Sequence, residues 1–335
     1  MASEINKENK NTTLVDKIQQ AKGCKRNSCR VYASNLRRIH KEASKQPWNF
    51  NLKWLENGSN SILKYIMGLQ NVNTARNLMS SAIIGFYVLK DEKNIAKFNL
   101  ELKKLNVKKA EMQKSGEMTT RQKEVFIPWP RIIALRKLLF KEVRLAGLYK
   151  HKKVTISDFK KVQRALVLGL YTLLPPVRLD VADLEFISGK EFEKATDKTS
   201  KNYLVMSRGG WKIYWNHTKT SKSMGEIVVL IKKYSPQLQR LLVKHVKYLK
   251  KHWPDNRNLL LNSNLSGAKM TRNALTRFLQ RMFQQYFRKR ISASALRMIF
   301  LSHKYDKSKL EEQQEVHRAM HHSGSTALKD YIKKK

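Results

Sequence analysis

The sequence predicts a mainly α-helical protein with a small antiparallel β-sheet, arranged as two domains. Three observations carry this expectation. Apolar residues recur at helical spacing through most of the chain. Three short β-branched and aromatic runs between residues 202 and 231 break that period. The length of 335 residues suits two cores more naturally than one.

Residues 1–25 are polar and rich in Lys and Asn, and predict a flexible N-terminus. From residue 27 the helical period sets in. SCRVYASNLRRIHKEA places Val31, Leu36 and Ile39 near one face, and NLKWLENGSNSILKYIMGLQ and NTARNLMSSAIIGFYVLK continue the pattern between Asn/Ser/Gly breaks. DEKNIAKFNLELKKLNVKKAEMQKSG then reads as a charged helix, either leading to a linker around SGEMTTRQKE or lying as a solvated outer helix of the same domain. The first domain is expected to span 26–116 and the second 117–335.

The second domain opens with FIPWPRIIALRKLLFKEVRLAG, a Pro-led apolar helix. SDFKKVQRALVLGLYTLL follows, with Ser157 as the expected N-cap and Pro175-Pro176 as the stop. NYLVM, WKIYW and GEIVVLI then read as a three-stranded antiparallel meander. Helices return in SPQLQRLLVKHVKYLKKHW, KMTRNALTRFLQRMFQQYF, SASALRMIFLSHKY and KLEEQQEVHRAMHH, with a last short one through Tyr331.

Charge narrows the partner. The chain carries 68 Lys+Arg against 26 Asp+Glu, a formal +42, far beyond what solubility needs. Residues 1–116 hold 22 basic and 9 acidic side chains and the remainder 46 and 17, so the excess is spread over both domains. A polyanion, above all double-stranded DNA, is the expected partner. The basic residues are interleaved with well-made core patterns, which argues against a membrane-surface helix. No apolar run approaches the roughly 18 residues of a membrane span, so a soluble intracellular protein is expected. Cys24 and Cys29 are too few for a disulfide framework or a zinc site of their own and are expected as free thiols.

A set of chemically able residues stands out against this background. Breaking and rejoining a phosphodiester without a metal needs fixed cations for the transition-state charge, a nucleophile that conserves the bond energy, and a proton donor for the leaving oxygen. LYTLLPPVRLDVADL places Arg178 after a helix and a double proline, at the start of a second helical segment. WNHTKTSKSMGEIVVLI places Lys219 in a turn between strands, and ISASALRMIF places Arg297 in a helix. MHHSGSTALKDY supplies His321, His322 and, nine residues beyond His322, Tyr331. Taken singly each has an ordinary alternative. Arg178 and Arg297 fit solvated or phosphate-contacting side chains, Lys219 shares its turn with Lys222, and Tyr331 fits an anchoring aromatic. His317 and His321 share a helical face, but no cysteine or carboxylate pair completes a metal site, so no metal is expected.

The ordered set resembles the tyrosine recombinase family, the integrases typified by phage lambda. ISASALR is similar to the family segment with His or Lys three residues before the second arginine, with Ser294 in that place and Arg297 as the arginine. TKTS is similar to the strand-turn motif, which selects Lys219. The His322 to Tyr331 interval equals the family's Gly-His to Tyr interval, with His321 standing where glycine is common. The resemblance covers residue 120 to the end and, less distinctly, the preceding helical region, which is similar to the core-binding domain. The lysine-rich, double-proline character is similar to integrases of virophages and large DNA viruses.

The resemblance implies a helical core-binding domain followed by an α/β catalytic domain, and a site-specific recombinase or integrase working at DNA. Tyr331 would attack the scissile phosphate to leave a 3′-phosphotyrosyl link and Lys219 would protonate the 5′ oxygen. Arg178, Arg297 and His322 would stabilise the charge, with Ser294 supporting. It implies no cofactor, and a homotetramer on two DNA sites. Two alternatives share these residues: a type IB topoisomerase, and a recombinase-derived DNA-binding protein without activity. Three departures stand out. Ser294 brings a hydroxyl but no charge, only four residues follow Tyr331, and Asp180 and Asp183 stand two and five residues after Arg178, where the family has an acidic residue at three.

Overall fold

The structure, a computed structural model, describes residues 13–44, 47–48, 51–114, 117–218 and 225–305, together with 309 and 312. It is mainly helical with a small mixed sheet of four strands. The chain forms two compact units that divide between Glu117 and Met118.

The first unit contains α1 (Leu14–Lys22), α2 (Arg26–Ala43), α3 (Lys53–Asn57), α4 (Ser59–Met67), α5 (Val72–Leu89) and α6 (Glu92–Lys114). Helix α1 corrects the expectation of a flexible stretch through residue 25. Thr13 and Asp16 form a reciprocal capping box, Gly23 ends the helix at φ 62°, and Leu14 and Ile18 are buried. Two anchors four residues apart suffice to dock so short a helix, and they leave little periodicity to read. The turn at Gly23 also brings Cys24 to Cys29, and the two form a disulfide rather than free thiols.

On α2 the buried face is Cys29, Ala33, Leu36 and Ile39, whereas Val31 is exposed. Cys29, Ala33 and Leu36 follow the i, i+4, i+7 spacing, and Val31 points some 200° away from Cys29. Helix α5 is the centre of the unit, with α2, α3 and α6 packed on it. Gly85 marks its crossing with α2 and α3, where a Cβ would stand 2.5 Å from a Leu55 methyl and 3.1 Å from one of Leu36. The charged α6 belongs to this unit. It turns Phe98 and Leu105 inward onto α5, with Phe98 edge-on to Phe86, and leaves Leu100 and Val107 exposed.

The second unit begins with α7 (Thr120–Val125), α8 (Trp129–Leu145) and α9 (Ile156–Leu173), with a 3-10 turn at Leu148–Lys150 between the last two. The N-cap of α9 is Thr155, whose hydroxyl accepts the Asp158 N–H at 3.1 Å; Ser157, the expected cap, lies inside the helix. After a 3-10 turn at Leu179–Asp183 come β1 (Leu184–Ser188), α10 (Gly189–Lys194), β2 (Asn202–Met206), β3 (Lys212–Trp215) and β4 (Ile227–Leu230). The expected meander is present as β2, β3 and β4 in antiparallel order. The sheet is nevertheless mixed, because β1 pairs parallel to β2 with Leu184 opposite Asn202. The α10 crossover makes that pairing reachable within a short segment. The outer edge of β1 is covered by the 257–259 loop, through Phe186 N–H to Arg257 C=O at 2.8 Å and Leu259 N–H to Leu184 C=O at 2.9 Å.

The unit continues with α11 (Ile231–Tyr234), α12 (Pro236–His252), α13 (Arg272–Phe287) and α14 (Ala293–Lys304). Its core is one continuous cluster running from Ile127 to Ile299. Within it lies His245 of α12, fully buried, its Nε2 3.2 Å from the Leu259 carbonyl and its ring beside Tyr149 and Tyr248. Burial lowers its pKa to about 4, against the opposing pull of the Leu259 carbonyl. The folded state therefore holds His245 neutral where the unfolded chain would protonate it. Its contribution is complete above the ordinary value near 6.5 and is lost as pH falls toward 4. Urea unfolding should show roughly 2–3 kcal/mol less stability at about pH 4 than at about pH 7 from this group alone. A His245→Gln protein should lack that component.

Among the described residues no helix is long and apolar enough to cross a membrane, and no group of three His, Cys, Asp or Glu side chains is placed to hold a metal.

Candidate phosphate-binding cleft

Arg178 is placed by a break in the chain. Helix α9 ends at Leu173, Leu174 is extended, and Pro175 and Pro176 cannot donate to a continuing helix. Arg178 is itself extended, at φ −68° and ψ −153°, and caps the 3-10 turn that follows. Its backbone is fixed from beneath: the buried Tyr171 hydroxyl donates to the Arg178 carbonyl at 2.8 Å. Burial, helped by the Asp180 charge and opposed by Arg297, pushes the Tyr171 hydroxyl far above its ordinary pKa. It stays a protonated donor at any working pH.

Arg297 comes from α14. The Ser292 hydroxyl caps that helix by accepting the Ala295 N–H at 3.3 Å, and Leu296 and Ile299 bury its inner face. Phe300 adds an edge contact to Trp129 of α8. On this anchored helix Arg297 is half-buried and projects into the same cleft as Arg178.

The cleft has a volume of about 260 Å³. The two arginines share it with the 174–177 segment, Trp215 at the end of β3 and Thr218 three residues beyond it, Ile227 and Val229 of β4, and the exposed Tyr234. Among the described residues the only carboxylate in its lining is Asp180, which is 4% exposed and already engaged by Arg272 Nη2 at 3.0 Å. Arg272 also donates from Nε to Asp183 at 2.6 Å, and Lys269 pairs with Asp183 at 2.8 Å. Burial raises the Asp183 pKa, but the two cations outweigh it and hold the carboxyl below its ordinary value.

Among the described residues no carboxylate lies in ion-pair range of the Arg178 or Arg297 guanidinium. Two arginine forks converging on a small cleft, with the nearest acid neutralised from behind, match a tetrahedral oxyanion such as a phosphodiester.

Of the residues singled out from the sequence, Arg178 and Arg297 meet in this cleft. Ser294 does not line it; it is exposed on the first turn of α14, one turn before Arg297. Lys219, His321, His322 and Tyr331 lie outside the described residues, although Thr218, directly before Lys219, lines the cleft. Asp180 and Asp183 both pair with Arg272 rather than with Arg178. Tyr171, Lys269 and Arg272 complete the support and were not singled out. The Thr271 cap, whose hydroxyl accepts the Ala274 N–H, fixes Arg272 at the first position of α13. A Thr-Arg pair opening a helix was the only signal of it in the sequence. No protein-family model, curated protein or solved structure matches this chain.

Proposed function

We propose that the protein is a site-specific DNA recombinase that cuts and rejoins strands through a 3′-phosphotyrosyl intermediate. The observation that carries this reading is the convergence of Arg178 and Arg297, from distant parts of the chain, in one cleft where the one carboxylate among the described lining residues, Asp180, is already paired with Arg272. In the proposed reaction the two guanidinium groups hold the non-bridging oxygens of the scissile phosphate and stabilise the charge of the pentacovalent transition state. The Tyr331 hydroxyl releases its proton to solvent as its oxygen attacks phosphorus, the bond to the 5′ oxygen breaks, and Lys219 gives that oxygen its proton. His322 assists the phosphoryl oxygens; Ser294, outside the cleft lining, takes no direct part. A 5′ hydroxyl from a second duplex then displaces the tyrosine, which implies four subunits on two DNA sites. The bond energy is conserved in the link, so this sequence of steps consumes no nucleotide.

The test begins by selecting a duplex library for DNA that stays attached under denaturing conditions. Two copies of the recovered site are then offered in trans and in a supercoiled plasmid. Recombinant joints are the expected product. Relaxed plasmid without joints would assign a topoisomerase instead, and no attached DNA from any pool would overturn the reading.

A further inference from the structure

A second concave surface lies in the same unit and uses none of the cleft residues. It is a groove of about 960 Å³ between the C-terminal half of α8 and the N-terminal half of α12, with Ala165 of α9 in its lining. Its rim carries six exposed cations, Lys137, Lys141, Arg144, Lys150, Arg240 and Lys244, and among the described residues its lining contains no carboxylate. Its lower wall is apolar. Phe140 and Leu241 lean together over Gly169 of α9, where a Cβ would meet Leu241 Cδ2 at 2.8 Å and Phe140 Cζ at 3.2 Å. A side chain at 169 would displace the tips of Leu241 and Phe140 that form the bottom of the groove.

We propose that this groove docks an acidic amphipathic α-helix of a partner protein. Two features select that occupant. Two helices resting on a third leave a furrow that a fourth helix completes as a bundle. The furrow combines an apolar bottom with a cationic rim, the complement of a helix with apolar residues on one face and carboxylates flanking them. A duplex would meet the rim cations with its phosphates but leave the apolar bottom uncovered, which is why nucleic acid fits this furrow less well. The inference is independent of the recombinase reading.

The test uses a fluorescein-labelled helical peptide of about 18 residues, with Leu on one face and Glu on the others, and measures anisotropy against the full chain. The variant Lys141→Glu/Lys244→Glu changes two exposed groove residues. Lys190→Glu/Lys194→Glu on α10 changes net charge equally but elsewhere. Peptide affinity is expected to fall at least tenfold in the groove variant and to change less than threefold in the control. Equal losses in both variants, or none in either, would overturn the proposal by making the attraction unspecific or absent. A groove variant that loses affinity for a 20-base-pair duplex but keeps the peptide would overturn it in favour of nucleic acid.

Discussion

Arg297→Ala is expected to slow covalent attachment to DNA by about 10²–10³-fold, the scale on which removing one preorganised oxyanion partner acts. Helix α14 is held by Leu296, Ile299 and the Phe300 to Trp129 contact, none of which involves the guanidinium. The variant should therefore keep its stability within about 1 kcal/mol and bind DNA nearly as well, so the loss falls on the chemical step. Arg297→Lys should recover only part of the rate, because an ammonium restores charge without the planar fork. Arg178→Ala should behave alike. The two losses should combine less than multiplicatively, as expected of groups that hold one phosphate together. Single-turnover attachment rates on a nicked duplex check all four variants.

Arg272→Ala should produce the largest loss of stability among the surface-reaching arginines. It strips the buried Asp180 of its ion-pair partner and Asp183 of one of two. Leaving a buried carboxylate unpaired costs several kcal/mol, and because the Arg272 side chain is itself 42% exposed a loss of about 2–3 kcal/mol is expected. The pH dependence has a definite sign. Asp183 has its pKa lowered on folding, so the stability it contributes is present above the ordinary value near 3.8 and is lost as pH falls through the folded value. Acid should therefore destabilise the wild type more than Arg272→Ala over that window. Urea titrations at neutral and acidic pH measure both effects. The variant should also attach to DNA more slowly, since Asp180 lies in the turn that Arg178 caps.

The same residues mark what could be read from the sequence. Long amphipathic helices such as α5, α9 and α12 announce themselves by period, and the β2 to β4 runs by their β-branched and aromatic content. Strand β1 was readable in principle, since LEFIS alternates buried Leu184 and Phe186 with less buried neighbours. Its five residues follow directly on a 3-10 turn, however, and continue a segment that reads as helix. Helix α1 owes its existence to a capping box and two core contacts rather than to a long periodic face. Arg178 and Arg297 stand out in the sequence by their ordered spacing, and the structure places both in one cleft. Tyr171 and Arg272 do not stand out. Tyr171 reads as one more apolar position of α9, and the Arg272 to Asp180 bond joins residues 92 apart. Such a pairing exists only once β1 and the 257–270 segment have brought the two turns together.

The decisive measurement for Tyr331 as nucleophile is attachment of the protein to a nicked duplex carrying the selected site. The nick lets the cleaved fragment diffuse away and traps the intermediate. The expected product is a denaturation-resistant protein–DNA species whose nuclease-trimmed peptide carries a nucleotide 3′-phosphate on Tyr331, and which is absent from Tyr331→Phe. A protein that binds the site tightly yet yields no such species, or one linked through another residue, would contradict that role of Tyr331.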